Sequence, residues 1–521
     1  MYEGSFANML LALSSLITKI DKFSEEKLGM PVKDLMSRAG AAVARCVMNR
    51  VAKGASVVIL CGKGNNGGDG YACAINLMND YEVVCIDVFS AGQRSEEGKA
   101  FLASYKEKGG IVEPFDNNEH ILSVIASADC IVDAIFGTGF SGECPPLILE
   151  LSKMVNKACC VKVAIDIPLG INADNGCVNE DAVCAMTCTV ALAYLKPGLV
   201  SFPAKAYVGE IIYDDLALDL NVISNTFEFK YKYVDPTLAK SLLPKREENS
   251  NKGSFGKLLC ITGCSDYRGA ARLSLEAALR GGVGMVCYAG CSELVSELSR
   301  SFPEAIYKTI KDTREMTEED MVELVELSRK YSAVLVGSGS GNSKNLAALV
   351  KKLLSTEGGP LILDADALNA LADNESKPTV VLREAKRKVV MTPHPLEFSR
   401  ICGDDVSFIQ LHRIEAAVKF AAENKVHLIL KGAATISTDG NEVYVNSSGS
   451  SALAKAGSGD VLAGFVSALI ASGVDCLRGM ALAAFYHGAA SDTLSLEYSK
   501  LGVTPSDLPK QIAREIAASL N

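Results

Sequence analysis

Tryptophan is absent from this 521-residue chain, aromatic residues make up 6% of it, and histidine occurs only five times. So few rings leave no aromatic-interleaved stripe of the kind on which nucleic-acid bases stack. Positive charge is not in excess either: 52 Lys and Arg stand against 62 Asp and Glu, a formal net charge of −10, and no basic run occurs. Nonspecific nucleic-acid binding is thereby disfavoured, and anionic ligands must be held locally, by loops and helix N-termini. No apolar window reaches the length of a membrane span. A Walker A sequence is missing, because Lys257 in Gly253-Ser254-Phe255-Gly256-Lys257-Leu258 has neither the spacing nor the following hydroxyl of a P-loop. The 17 cysteines form no metal pattern: Cys184/Cys188 and Cys287/Cys291 lack the nearby His or second Cys pair of a zinc site. Cys61, Cys85, Cys130, Cys260 and Cys287 lie in apolar strand-like runs and read as buried free thiols, which points to a reducing compartment and a cytoplasmic location. The apolar stretch Phe6 to Ile17 has no basic leader and runs into the charged segment Asp21 to Lys27, so it reads as a first helix rather than a signal peptide.

What is present is an ordinary α/β composition, 48% apolar and 22% charged with 44 glycines, in a chain too long for one core. Short β-branched runs at Val57 to Leu60, Val83 to Val88, Ile131 to Ile135 and Val161 to Ile165 alternate with segments of helical period. Such runs indicate parallel strands covered on both faces, a Rossmann-like doubly wound sheet that closes with Gly209 to Tyr213. Periodicity is lost over Leu220 to Asn225, and the polar stretch Pro244 to Asn251 reads as an exposed loop. Strand candidates recur at Leu258 to Thr262, Met285 to Ala289, Ala333 to Val336, Pro360 to Leu363, Lys388 to Met391 and His427 to Leu430, with helical stretches such as Ala270 to Arg280 and Val406 to Ala422 between them. Two α/β domains are expected, residues 1–224 and 225–521.

Two glycine-rich segments end in aspartate: Gly62-Lys63-Gly64-Asn65-Asn66-Gly67-Gly68-Asp69-Gly70 and Gly457-Ser458-Gly459-Asp460. Each has the glycine density that lets backbone N–H groups close on an anion, and each places a carboxylate beside it. The first also matches G-x-G-x-x-G after a strand, with Asp87 twenty residues beyond Gly67, the outline of an NAD-dependent dehydrogenase. Against that reading, the run continues through Asn66 to Gly70 and is expected to form a wide, polar, carboxylate-bearing loop. Asp133 and Asp166 each leave a strand into a glycine turn, so Asn66, Asp69, Asp133 and Asp166 are expected to converge at the C-terminal strand edge. Amides and carboxylates without His or Cys suit a hard cation, K⁺ or Mg²⁺, or proton transfer; capping of a turn is the bland reading for Asp133 and Asp166. In the second segment the glycine turn leads into an apolar helix, where Asp460 can take a proton from an attacking hydroxyl while the amides face a phosphoryl group.

The first half, Cys61 to Gly70, Asp133 to Gly139, Asp166-Ile167-Pro168, Ala173 to Gly176 and Lys196-Pro197-Gly198, resembles the NAD(P)H-hydrate epimerase family over about residues 14 to 224. The resemblance implies substrate binding by Asn65, Asn66, Gly67, Gly68 and Asp69 and by Gly137, Thr138, Gly139, Phe140, Ser141, Gly142 and Glu143, with Asp166 as acid/base residue. K⁺ would be held by Asn66 and Asp133, with Leu169 where the family has Ser, so that only a backbone carbonyl can serve there. The second half, through Asn251 to Lys257, Leu363 to Asn369, Met391 to Phe398, Leu430 to Thr435 and Ala456 to Gly464, resembles the ribokinase-like ADP/ATP-dependent NAD(P)H-hydrate dehydratase family over about residues 235 to 520. Here the resemblance implies Asp460 as catalytic base and substrate contact by Gly339, Met391, Thr392, Pro393, His394, Pro395, Leu396 and Glu397. Nucleotide binding would fall to Lys431, Gly432, Ala433, Ala434, Thr435, Ser450, Ala456, Gly457, Ser458 and Gly459. ADP or ATP is the implied phosphoryl donor, with Mg²⁺, and the partners are small molecules, with neither nucleic acid nor membrane, on a homo-oligomer. Repair of hydrated nicotinamide dinucleotides is the expected activity; the alternative is a ribokinase-like small-molecule kinase carrying an inactive dinucleotide-binding module.

Overall fold

The computed structural model describes residues 10–89, 94–116, 118–140, 144–373 and 377–521. They divide into two compact units, Met1–Tyr231 and Lys232–Asn521.

The first unit is built on a seven-stranded sheet, all of whose pairings are parallel, in the order Ile111–Pro114, Glu82–Asp87, Ser56–Cys61, Cys130–Ala134, Val161–Ile165, Cys188–Leu192, Glu210–Asp214. Alternate side chains of one strand enter opposite cores: Val57, Ile59 and Cys61 join one apolar cluster, while Val58 and Leu60 join the other. Both faces of the sheet are therefore covered, as the unbroken apolar runs require. Chain order reverses between Ser56–Cys61 and Cys130–Ala134, and the crevice outside such a switch point is where open parallel sheets bind ligands.

The second unit has a sheet running Tyr231–Val234, Val443–Asn446, Ile436–Thr438, His427–Leu430, Val389–Met391, Leu361–Leu363, Ala333–Val336, Lys257–Ile261, Met285–Gly290, Ile306–Thr309. From His427–Leu430 to Ile306–Thr309 the pairing is parallel, and Ile436–Thr438 and Val443–Asn446 add on antiparallel. Its order reverses between Lys257–Ile261 and Ala333–Val336. Gly337, Asp364, Thr392 and Lys431 each follow the C-terminal end of a strand on one side of that reversal.

Four local expectations are corrected. The segment Asn66 to Gly70 is no wide loop but the start of the helix Asn65–Leu77, fed by the short turn Gly62–Gly64. Close packing explains it: a Cβ on Gly68 would lie 2.4 Å from the Met36 sulfur and one on Gly67 2.0 Å from the Gly62 carbonyl oxygen. The glycines serve approach rather than breadth. Within Phe6 to Ile17, Phe6 to Met9 lie outside the described residues, Leu10–Leu11 is extended, and the helix is Ser14–Leu28. Leu220–Thr226 is helical because the Asp219 carboxylate accepts the Val222 amide as an N-cap. Val406 to Ala422 is broken at His412 into Val406–Leu411 and Arg413–Asn424.

Among the described residues no helix is long and apolar enough to cross a membrane. Cys61, Cys85, Cys130, Cys260 and Cys287 are all free and buried, and no group of three His, Cys, Asp or Glu among the described residues could hold a metal.

Candidate active sites

In the first unit Asn66 and Asp69 lie on the helix after the strand Ser56–Cys61, while Asp133 and Asp166 lie at the C-terminal ends of the next two strands of the sheet. Asn66 is buried and its Nδ2 donates to the Phe136 carbonyl at 2.7 Å, which ties the helix start to the segment leaving Cys130–Ala134. Asp133 is 1% exposed; its Oδ1 accepts from the Ile135 amide at 3.1 Å and its Oδ2 from the Leu169 amide at 2.7 Å. It does fix turns, then, as the bland reading held. Burial nonetheless pushes its pKa up to about 6 against those two bonds, and no ion pair to it occurs among the described residues. Leu169 is wholly buried in an apolar cluster, so an oxygen there can only be its carbonyl, which already accepts from the Cys184 amide at 3.3 Å.

Asp166 follows Val161–Ile165 with φ of 65°, a left-handed conformation that costs a non-glycine residue energy and recurs at functional turns. Its Oδ1 accepts from the Leu192 amide at 3.1 Å and from the Lys196 ammonium. Lys196 is 1% exposed and also donates to the Leu192 carbonyl at 2.8 Å. The Lys196-Pro197-Gly198 sequence holds it: Pro197 opens a short helix, and a Cβ on Gly198 would lie 2.3 Å from the Asn172 carbonyl oxygen. Asp69 faces the same group; burial, then the negative charges of Asp166 and Asp21, raise its carboxyl well above the ordinary range against the pull of Lys196. Neither Lys196 nor Asp21 stood among the expected site residues. The Lys-Pro-Gly run was the available signal for Lys196; nothing marked Asp21, which the Ser14–Leu28 helix carries.

Thr138 is pinned by its carbonyl, which accepts from Ser14 Oγ at 2.9 Å, and a Cβ on Gly139 would meet nothing within 4 Å. Phe140 stacks on Phe136 with ring centroids 4.6 Å apart, both rings half-buried beside this turn. Asn65 is exposed at the helix start. Ser141, Gly142 and Glu143 lie outside the described residues. The aspartate of the dehydrogenase outline, Asp87, is ion-paired with Arg94.

In the second unit the apolar helix Ser458–Ala471 starts after Gly457, whose φ of 101° makes the turn. The first amides of a helix have no intrahelical acceptor and point out of its end. Asp460 is the third residue. It is half-buried in the field of Asp364, Lys431, Asp366 and Glu397, and burial, then the Asp364 charge, push its pKa up to about 7 while Lys431 opposes. Lys431 Nζ lies 3.3 Å from Asp364 Oδ1 and 3.8 Å from Glu397 Oε2. Burial disfavours its charge, but Asp364 and Glu397 outweigh that and raise its pKa. The same ammonium stands 3.3 Å from where a Cβ on Gly459 would be, so the glycine leaves it room beside the helix start.

Asp364 is 1% exposed and takes bonds from Ser338 Oγ at 2.8 Å and Thr392 Oγ1 at 2.6 Å. Asp366 accepts from the Gly341 amide at 2.8 Å, tying down the turn that holds Gly339, whose φ is 61°. The ring of His394 is fixed by its own helix rather than only by the flanking prolines: Nδ1 accepts from the Leu396 and Glu397 amides at 3.2 Å, and Glu397 Oε2 returns a bond from the His394 amide at 2.8 Å. With Nδ1 accepting, the proton of the neutral ring sits on Nε2. Burial, partly offset by Glu397, lowers its pKa and favours that neutral form. Met391 and Thr392 are fully buried and Pro393 lies beneath the turn, its carbonyl accepting from the Lys431 amide; Leu396 is exposed and Pro395 half-buried.

Gly432 and Ala433 are exposed after Lys431, Ala434 has φ of 50°, and Thr435 Oγ1 returns to the Gly432 carbonyl at 2.8 Å. Ser450 caps the short turn Ser451–Leu453, and Ala456 is exposed beside Gly457. Sequence reasoning missed His487, a buried residue of the Cys476–Gly502 helix hydrogen-bonded to the Ser458 backbone; burial lowers its pKa to about 4.

Two family models match the chain: one described as NAD(P)H-hydrate dehydratase over residues 258–514, the other as YjeF-related protein N-terminus over residues 32–198. The bifunctional NAD(P)H-hydrate repair enzyme Nnr of Moorella thermoacetica is 32% identical over 96% of this chain and 95% of its own length. The enzyme of the same name from Thermofilum pendens is 31% identical over 98% of this chain and 97% of its own. The solved ADP/ATP-dependent NAD(P)H-hydrate dehydratase from Bacillus subtilis, co-crystallised with ATP/Mg²⁺, is 27% identical with a TM-score of 0.48, covering 55% of this chain and 97% of that one. With both halves matched in order and near-complete coverage at that identity, the chain belongs to the bifunctional NAD(P)H-hydrate repair enzymes.

Proposed function

We propose that Met1–Tyr231 interconverts the two C6 epimers of hydrated NADH or NADPH and that Lys232–Asn521 returns the S epimer to NADH or NADPH at the expense of ADP or ATP. The observation that carries the second reaction is Asp460: a carboxyl with pKa of about 7, on the first turn of a helix whose Gly459 and Asp460 amides have no hydrogen bond among the described residues. A base poised near neutrality accepts a proton most effectively there. Asp460 takes the proton of the C6 hydroxyl as its oxygen forms a bond to the terminal phosphorus of the nucleotide, and the phosphoanhydride bond breaks with its electrons leaving on AMP or ADP. The helix-end amides and Lys431 hold the migrating charge. Expulsion of phosphate from C6 and loss of a proton from C5 then form the ring double bond, a step that hydroxide would leave too poorly to allow. Mg²⁺ bound together with the nucleotide would screen the charge of its phosphates.

In the first unit the hydrated carbon carries both hydroxyl and ring nitrogen, so it epimerises without redox chemistry. Asp166 takes the hydroxyl proton, the C6–N1 bond opens to an aldehyde as N1 is protonated, and closure on the other face inverts C6. The half-buried Phe136–Phe140 pair offers a flat apolar surface to a ring of the dinucleotide. Asp133, buried without a protein cation, suits K⁺ together with the Asn66 side-chain oxygen and the Leu169 carbonyl. That ion would supply positive charge at the sheet edge.

One assay tests both halves. Separated epimers are incubated with the full chain and either ADP or ATP, and reduced-nicotinamide absorbance and free phosphate are followed together. The S epimer yields both products at once, and the R epimer yields them only through prior epimerisation. Formation of a stable phosphorylated product without NADH would establish the simple kinase instead.

A further inference from the structure

Asp166, read above as the proton acceptor, has its two oxygens in different situations. Oδ1 is occupied twice, by the Leu192 amide at 3.1 Å and by the Lys196 ammonium. No hydrogen bond to Oδ2 occurs among the described residues, and the side chain is 13% exposed against 2% for that of Lys196. The ammonium cannot wander: it is anchored at 2.8 Å on the Leu192 carbonyl, and its backbone is seated by Pro197 and by the close approach of Gly198. It is also the positive charge shared by the acids that face this point, since Asp21 and Asp69 both feel Lys196 and Asp166. A buried cation whose Coulomb partners are three carboxylates does more than fill space.

We infer that Lys196 is a positioning residue of the epimerase half, holding Asp166 by Oδ1 so that Oδ2 is the oxygen that takes and returns the C6 hydroxyl proton. The inference rests on the epimerase reading. Lys196 does not touch the reacting carbon; it selects which oxygen is bare and offsets the negative charge that Asp21, Asp69 and Asp166 would otherwise bring to one another. Arginine is no substitute, because its planar fork pairs both oxygens of a carboxylate and would occupy Oδ2 as well.

The test uses the full chain, following interconversion of the separated epimers above the uncatalysed rate. Lys196→Ala is expected to lower epimerase kcat by about 100-fold with KM within about threefold. Methylammonium should restore kcat at least about tenfold, whereas tetramethylammonium, which has no N–H to donate, should not. Lys196→Arg should keep the fold and KM and still lose about tenfold in kcat. An alanine variant with wild-type kcat, or one whose loss methylammonium leaves untouched, overturns the assignment. Should the alanine variant fail to fold, the arginine variant decides, and a wild-type kcat there overturns it. Absence of epimerisation by the wild-type chain would instead remove the epimerase reading itself.

Discussion

The helices Asn65–Leu77 and Ser458–Ala471 both open with glycines and both carry an aspartate early, yet the two acids do different work. Asp69 is the fifth helical residue, and burial, with the charges of Asp166 and Asp21, raises its pKa well above the ordinary range while Lys196 opposes. Asp460 is the third, close to the free amides, and poised at about 7. In each unit a lysine acts on the glycine-segment aspartate only through its charge and bonds another carboxylate: Lys196 with Asp166, Lys431 with Asp364. The roles are then opposite, for the lysine-bound Asp166 is the proposed base in the first unit, whereas in the second it is Asp460, which no lysine bonds among the described residues. A glycine-aspartate motif therefore locates a site without saying which carboxylate reacts; the position of the ammonium and the depth along the helix decide that.

The sharpest way to break this comparison is Asp460→Asn, expected to lower dehydratase kcat by about 10³-fold and leave epimerisation of the R form intact. Equal loss of both activities would mean that the two sites are not independent. Next in size is Asp166→Asn, for which the epimerase rate should fall by about 10² to 10³-fold while the S epimer is dehydrated as before; a wild-type rate there would move the base elsewhere. A smaller effect sharpens the contrast through pH. Because Asp460 must be ionised to act, dehydratase kcat/KM should rise with pH and level off above about 7. An acid limb at the ordinary carboxylate value would refute its burial.

The smallest effect is on stability. A carboxyl whose folded pKa is raised from 3.8 to about 7 stabilises the fold fully below its unfolded value, and that contribution is lost as pH rises through about 7. Asp460→Asn removes the buried charge, so its melting temperature should exceed that of the wild type at pH 8, by a gain on the order of 1 kcal/mol or more, and the excess should shrink toward pH 4. A variant less stable at pH 8 would show that the charge is compensated.

Much of both sites was legible because strand ends in parallel sheets are legible. Apolar runs such as Val57 to Leu60 and Pro360 to Leu363 read as doubly covered strands, and the residues that follow such strands fall at one edge of their sheet. That logic put Asn66, Asp133 and Asp166 at one sheet edge; that Asp364, Thr392 and Lys431 follow neighbouring strand ends of the second sheet came from the structure. It failed where glycine had two meanings: Gly67 and Gly68 looked like loop residues, but they are helical and packed against Gly62 and Met36. It failed also for Asp21, which no motif accompanies, and for His487, which lies far along a long helix and reaches Ser458 only through tertiary packing.

By itself the sequence determined the chemistry available at each sheet edge, because period-2 burial and turn glycines are local properties that survive any arrangement of the rest. It determined equally that few rings and a net negative charge would leave recognition to backbone amides and single lysines. Only the tertiary structure decided which carboxylates have raised pKa values, since that depends on how deeply Asp69, Asp133 and Asp460 are buried and on which charges lie near them. Desolvation and Coulomb forces act through space, between residues that the chain order keeps apart.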